Sequence, residues 1–154
     1  MLVGDGPERK KAEALCRELS ICQDVRFLGK QQAVGELLAI ADLFLMPSEK
    51  ESFGLAALEA MACEVPVISS NAGGLPEINI DGQTGFMSDV GDVNSMIEKS
   101  LQILSSENSL QTFRKNALSQ AKRFDIENIV PLYENYYQKI IEKCKAKHQT
   151  EAVL

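Results

Sequence analysis

Residues 43–68 read LFLMPSEKESFGLAALEAMACEVPVI, and the fold follows from how that stretch divides. Leu43-Phe44-Leu45-Met46 is a continuous apolar run of strand length, which predicts a strand buried on both faces. Pro47 and the polar residues Ser48 to Ser52 interrupt it. From about Gly54 to Cys63 the chain is rich in Ala and Leu and predicts a helix. Val65-Pro66-Val67-Ile68 is a second apolar run and reads as the next strand. A strand, a helix and a strand in that order predict a parallel pair joined by a helical crossover.

The alternation continues in both directions. Upstream, Leu2-Val3 reads as the tail of a buried strand, and Gly4-Asp5-Gly6-Pro7 as a turn with Pro7 opening a helix. Ala12, Leu15, Cys16 and Leu19 carry that helix's period. Val25 to Leu28 is a short strand stopped by Gly29. Val34, Leu37, Leu38 and Ala41 mark an amphipathic helix. Downstream, Leu75 to Ile78 is a helical turn, and Asp81-Gly82 and Thr84-Gly85 form a turn before the strand Phe86-Met87. Three helices are expected near 92–105, 107–123 and 126–147. Phe113, Leu118 and Phe124 read as core, and Tyr133, Tyr136 and Tyr137 either as packing residues of the last helix or, in part, as exposed residues that would pack only in a longer protein. The predicted class is α/β, a Rossmann-like parallel sheet with helices on both faces and a helical tail. Because the chain opens on the tail of a strand, residues 1–154 are read as one domain of a larger protein, with a strand expected upstream.

The chain has 154 residues, 45% hydrophobic and 25% charged, an ordinary globular composition. Net charge is −6, which disfavours nucleic acid as a partner. Arg9, Lys10 and Lys11, and again Lys143, Lys145 and Lys147, read as solvated helix faces. No apolar run is long enough to span a bilayer. Cys16, Cys22, Cys63 and Cys144 include no CxxC pair and follow no leader, so they read as reduced thiols in the cytoplasm. Cys144 and His148 share a helix face but have no further ligands nearby, so no metal is expected. His148 is the one histidine, which argues against a Ser-His-Asp or Cys-His mechanism. Gly4-Asp5-Gly6 lacks the third glycine of a dinucleotide fingerprint, because Arg9 stands there.

The loop opening the 54–63 helix lies where open parallel sheets bind ligands, beyond the carboxyl ends of the strands. Within the helix, Leu55, Leu58, Glu59 and Ala62 follow i, i+3, i+4, i+7, which places Glu59 on a stripe read as core. A carboxylate there requires partners. It is either a structural residue paired with a buried donor or a lysine, or an acceptor for the two hydroxyls of a ribose. Glu51 lies eight positions earlier, about 12 Å away at helical rise. Between them the amides of Phe53, Gly54 and Leu55 are expected to be unpaired at the helix N-terminus. A diphosphate bound there would have Glu59 on one side and Glu51 on the other, an order that suits ribose, diphosphate and sugar.

Glu51 and Glu59 form an E-x7-E pattern within S-E-K-E-S-F-G-L-A-A-L-E-A-M-A-C. With V-G-D-G-P-E (Val3 to Glu8), P-V-I-S-S-N-A-G-G-L-P-E (Pro66 to Glu77) and D-G-Q-T-G (Asp81 to Gly85), it resembles the donor-binding half of the retaining GT-B glycosyltransferases of family 4 over residues 2–140. The resemblance implies that Glu59 binds the ribose hydroxyls of a nucleotide-diphosphate sugar. It implies that Glu51 contacts the hexose as the catalytic-site carboxylate. The loop Ser52-Phe53-Gly54-Leu55 would face sugar and diphosphate, and backbone near Gly29 and Lys30 would read the base. Gly73 and Gly74 either line this crevice or serve as turn glycines. The runs S-E-K-E-S-F-G-L and I-S-S-N-A-G-G-L-P-E are similar to the subgroup that opens bacillithiol synthesis. That similarity implies UDP-N-acetylglucosamine as donor and a small acceptor such as L-malate, with no metal or other cofactor.

Two features depart from the family. The Arg and Lys that bind the diphosphate, and the acceptor domain, are expected upstream of these residues, so the chain alone is expected not to catalyse transfer. Glu64 also stands where the family has Gly, just after the helix, where a left-handed cap would make it costly. A non-catalytic nucleotide-sugar module and an unrelated α/β domain, such as a receiver or an epimerase-like fragment, are the other classes compatible with the pattern.

Overall fold

The computed structural model describes the backbone of residues 1–151 and side chains through Lys145. The side chains of Lys147 and His148 lie outside the described residues, and with them the Cys144–His148 pairing. The chain forms two compact units, Met1–Leu37 and Leu38–Leu154. All strand pairs are parallel, as the alternation of strands and helices predicts.

In the first unit, β1 (Leu2–Val3) pairs with β2 (Phe27–Gly29), Leu2 opposite Phe27 and Val3 opposite Gly29. The helix α1 (Arg9–Glu18) connects them. Helix α1 ends in a Schellman closure. Ile21 N donates to Cys16 O at 3.1 Å and Ser20 N to Arg17 O at 3.0 Å, while Ser20 takes the left-handed conformation, φ 57°. The expectation that Leu2-Val3 is buried is corrected. Both residues are exposed, because β1 is a two-residue strand whose hydrogen-bonded neighbour is β2. Helix α2 (Val34–Ala39) runs across the division between the units.

In the second unit, β3 (Phe44–Met46), β4 (Val67–Ser70) and β5 (Gly85–Ser88) form a sheet in the order β3-β4-β5. The central strand β4 begins two residues later than its apolar run suggests and is buried at all four positions. Both of its faces are therefore covered, as parallel strands require. Ile68 packs with Met96 and Ile103 of α5 (Val93–Leu104) and Leu110 of α6 (Glu107–Arg123), and Phe86 meets Phe113 at 5.3 Å. Asp92 and Ser106 cap these helices, accepting from Ser95 N at 3.0 Å and Ser109 N at 3.2 Å. Edge strand β3 corrects the expectation of burial on both faces. Leu45 is 57% exposed, because β3 is hydrogen-bonded only to β4.

The segment after α4 (Leu75–Ile78) explains Asp81 to Gly85 as a structural motif. Buried Asn79 donates to Ser69 Oγ at 2.9 Å and to the carbonyls of Val67 and Phe86, and accepts from Thr84 Oγ1 at 2.9 Å. This satisfies its amide within the core. Asp81 accepts from Met87 N at 2.8 Å. Gly85 lies against β4 so closely that a Cβ would fall 1.7 Å from Val67 O. The last helix, α7 (Ile126–Glu151), carries Tyr133, Tyr136 and Tyr137, which are exposed rather than packed into a core. They contact one another along the helix surface, at ring separations of 6.2 and 6.5 Å.

Candidate functional site

The loop between β3 and α3 (Leu55–Ala62) lies at the carboxyl edge of the three-stranded sheet. Its conformation is set by the loop that follows β4. Ser70 Oγ donates to Ser48 O at 2.5 Å and Gly74 N to Glu51 O at 3.3 Å. Gly73 and Gly74 sit directly against the backbone of Glu51 and Ser52. A Cβ on Gly73 would be 1.6 Å from Glu51 O, and one on Gly74 would be 2.5 Å from Ser52 O. Both glycines are therefore required by loop-on-loop packing. Gly54 adopts φ 100° beneath Leu75 and Ile78, whose side chains lie 2.8 Å from where its Cβ would be. Half-buried Phe53 meets Phe124 edge-on at 5.8 Å.

Glu51 folds back onto this loop. Its Oε1 accepts from the amides of Ser52 at 2.9 Å, Phe53 at 3.3 Å and Gly54 at 3.1 Å. This corrects the reading of the Phe53 and Gly54 amides as unpaired. A carboxylate already occupies them, in the turn that leads into α3 rather than on the amides of its first turn. The loop thus holds an anion with backbone donors, and that anion is the side chain of Glu51.

Glu59 corrects the second expectation. The buried face of α3 is Ala57, Ala60 and Met61. The stripe through Leu55, Glu59 and Ala62 faces solvent, with Leu55 65% exposed. Helix α3 has small or apolar residues almost all round, so periodicity alone does not choose which stripe faces the core. Glu59 needs no buried partner. It lines an open groove of about 320 Å³ with Leu55, Leu58, Leu118, Lys122 and Phe124. Glu51 and Glu59 therefore belong to one helix and its N-terminal loop, with the carboxylate of Glu51 on the amides and that of Glu59 accessible.

Gly29 and Lys30 belong to the first unit and are described there alone. Gly29 ends β2 with φ 66°, its carbonyl accepts from Gly4 N at 2.7 Å, and Lys30 is exposed. Arg9, read as part of a solvated basic face, keeps its side chain 36% exposed. Its guanidinium lies against Gly29, with Nη1 3.5 Å from where a Cβ on that glycine would be. Arg9 is held by Glu13 at 2.9 Å and Asp5 at 3.9 Å. The hydrogen bond to Glu13 raises its pKa further above its already high ordinary value. The i,i+4 spacing on α1 is the sequence signal for the Arg9–Glu13 pair. Among the described residues no cluster of three or more His, Cys, Asp or Glu side chains is placed to hold a metal ion, and no helix is long and apolar enough to cross a membrane.

Comparison with known proteins adds a consistent set of relatives. Residues 1–120 match the family model described as glycosyl transferases group 1. The chain is 43% identical over 146 residues to N-acetyl-alpha-D-glucosaminyl L-malate synthase of Bacillus anthracis, covering 94% of this chain and 38% of that protein. It is 38% identical over 140 residues to D-inositol 3-phosphate glycosyltransferase of Corynebacterium urealyticum, covering 86% of this chain and 33% of the relative. Among solved structures, Anabaena Alr3699/HepE in complex with UDP superposes with a TM-score of 0.78 at 29% identity, covering 94% of this chain and 40% of the other. The chain thus spans well under half the length of the relatives it matches.

Proposed function

Since the chain belongs to the group 1 glycosyl transferases, we propose that it is the donor-binding half of a retaining glycosyltransferase that uses UDP-N-acetylglucosamine and a small acceptor such as L-malate. The observation that carries this reading is the pairing on α3. Three converging amides at its N-terminus hold a carboxylate, and an exposed carboxylate, Glu59, follows one turn into the helix. In the proposed complex Glu59 accepts hydrogen bonds from the ribose diol. The backbone of Ser52, Phe53, Gly54 and Leu55 faces the diphosphate and hexose. Glu51 accepts from hexose hydroxyls. The similarity to the Bacillus anthracis synthase supports the choice of sugar and acceptor, and the UDP complex of the Anabaena protein supports the base.

The chemistry assigned to this half is stabilisation of the departing UDP. As the bond from the anomeric carbon to the diphosphate oxygen breaks, charge develops on the diphosphate, and the proposal assigns to it the loop amides that Glu51 holds in the free chain, released as Glu51 turns to the hexose; donors at that position lower the barrier. No side chain in the loop is assigned as a nucleophile, which favours attack by the acceptor hydroxyl on the face from which UDP leaves over a covalent intermediate. The nucleotide sugar is a substrate, and the proposal assigns no metal or other cofactor. The acceptor domain, the Arg and Lys for the diphosphate and a further strand of this domain are assigned to a longer protein, and with it a cytoplasmic location. The test is proton NMR of that longer protein with UDP-N-acetylglucosamine and L-malate. The proposal expects UDP release and an α-linked product. A β-linked product, or no donor consumption with any small hydroxy-acid acceptor, contradicts it.

A further inference from the structure

In the free chain the Glu51 carboxylate is held by backbone alone. Its Oε1 accepts from the amides of Ser52, Phe53 and Gly54 at 2.9, 3.3 and 3.1 Å. Among the described residues no Lys or Arg forms an ion pair with it, although Lys50 is its neighbour in sequence. The amides themselves cannot yield. Gly73 and Gly74 pack on the backbone of Glu51 and Ser52, and Gly54 lies beneath Leu75 and Ile78. The loop is therefore a fixed set of donors closed by a side chain that is free to turn. Any other anion that takes the three amides must take the place of the Glu51 oxygen.

We propose that Glu51 selects the intact nucleotide sugar over the free nucleotide diphosphate, by competing with the diphosphate for these amides. The inference rests on the donor-site reading above. Two anions cannot share one set of donors, because like charges at contact distance repel. A nucleotide sugar resolves the conflict, since its hexose offers hydroxyl donors to which the carboxylate turns as it leaves the amides. UDP brings a diphosphate of larger charge and no hexose. To take the amides it must displace Glu51 into water, and the carboxylate gains no protein or ligand partner in exchange. The loop therefore favours the sugar-bearing ligand although both ligands present a diphosphate. After transfer the hexose departs with the acceptor and Glu51 loses its hydroxyl partners. Its return to the amides then displaces UDP, so the side chain that contacts the sugar also clears the site of the leaving group.

The test is calorimetric titration of the 154-residue chain, Glu51→Ala and Glu51→Gln with UDP and UDP-N-acetylglucosamine. Inorganic pyrophosphate is titrated alongside and followed by the amide NMR signals of Ser52, Phe53 and Gly54. Removing the competing charge should tighten UDP binding about tenfold in Glu51→Ala, while UDP-N-acetylglucosamine binds more weakly for want of its carboxylate partner. Pyrophosphate should shift the three amides at about tenfold lower concentration in that variant. Glu51→Gln, which keeps a neutral acceptor, should fall between the two chains, and it provides the comparison if thermal melting shows Glu51→Ala to be unfolded. A merely structural Glu51 would lower both nucleotide affinities together, so UDP binding that is unchanged or weaker in a folded variant overturns the proposal. Pyrophosphate that reaches the amides equally well in wild type and variant overturns it too. Uridine ligands that bind neither chain, with pyrophosphate still favouring the variant, overturn the donor-site reading and with it the selection of the sugar-bearing ligand.

Discussion

Gly73 lies against Glu51 so closely that one added carbon would stand 1.6 Å from the Glu51 carbonyl oxygen. The loops following two different strands are thereby fixed to each other by backbone contact, and the position of the Glu51 carboxylate depends on a glycine 22 positions away. Gly73→Ala is expected to force the loops apart. Overpacking of this kind costs about 1–3 kcal/mol, and the left-handed φ of 53° adds strain. Urea denaturation should show the loss, and nucleotide affinity should fall with it. Wild-type stability with wild-type affinity would show that the loops are not coupled in this way.

Glu51→Ala removes the acceptor of three amides at the start of α3. Loss of hydrogen bonds from these partly exposed loop amides costs about 0.5–1.5 kcal/mol, so the melting temperature should drop. Glu51→Gln retains an oxygen acceptor and should recover part of the loss. The two variants should both weaken UDP-sugar binding more than UDP binding, because Glu51 is assigned to the hexose. Equal weakening of both ligands, measured by calorimetry, would assign Glu51 a purely structural role.

Glu64 occupies the left-handed position that closes α3, with φ 61°, while Val65 N reaches Ala60 O at 2.9 Å and Glu64 N reaches Met61 O at 3.0 Å. The cost anticipated from a non-glycine residue at this cap is therefore present. Glu64→Gly relieves about 1–2 kcal/mol of left-handed strain and returns part of that through the greater chain entropy of glycine. A net gain of about 0.5–1 kcal/mol is expected in chemical denaturation, with nucleotide affinity unchanged. A destabilised variant would mean that the Glu64 side chain makes a favourable contribution larger than the strain.

The fold is most legible in the sequence where one physical signal dominates. The apolar runs 43–46 and 65–68 mark two parallel strands joined by α3, and the helices expected near 92–105 and 107–123 run over Val93–Leu104 and Glu107–Arg123. Glu59 reads as a core position because nearly every residue of α3 is apolar or small, so a stripe through Leu55 and Ala62 looks the same as the buried stripe through Ala57, Ala60 and Met61. Leu45 reads as buried because edge or centre is decided by strand order, which no local pattern encodes. The packing role of Gly73 and Gly74 depends on a loop distant in sequence. The turn closed by Glu51 is hidden because the sequence presents a carboxylate and unpaired amides as separate facing features, when their short separation lets them satisfy one another.

The central claim is that the exposed carboxylate of Glu59 recognises a nucleotide ribose, and calorimetric titration of the wild-type chain and Glu59→Ala with UDP, UDP-N-acetylglucosamine and ADP tests it most directly. Since Glu59 faces solvent, the substitution should change stability by no more than about 0.5 kcal/mol. Losing hydrogen bonds to a charged acceptor costs about 1.5–3 kcal/mol, so uridine nucleotide affinity should fall about 10- to 150-fold. UDP binding that is equally tight in a folded Glu59→Ala chain would contradict the claim.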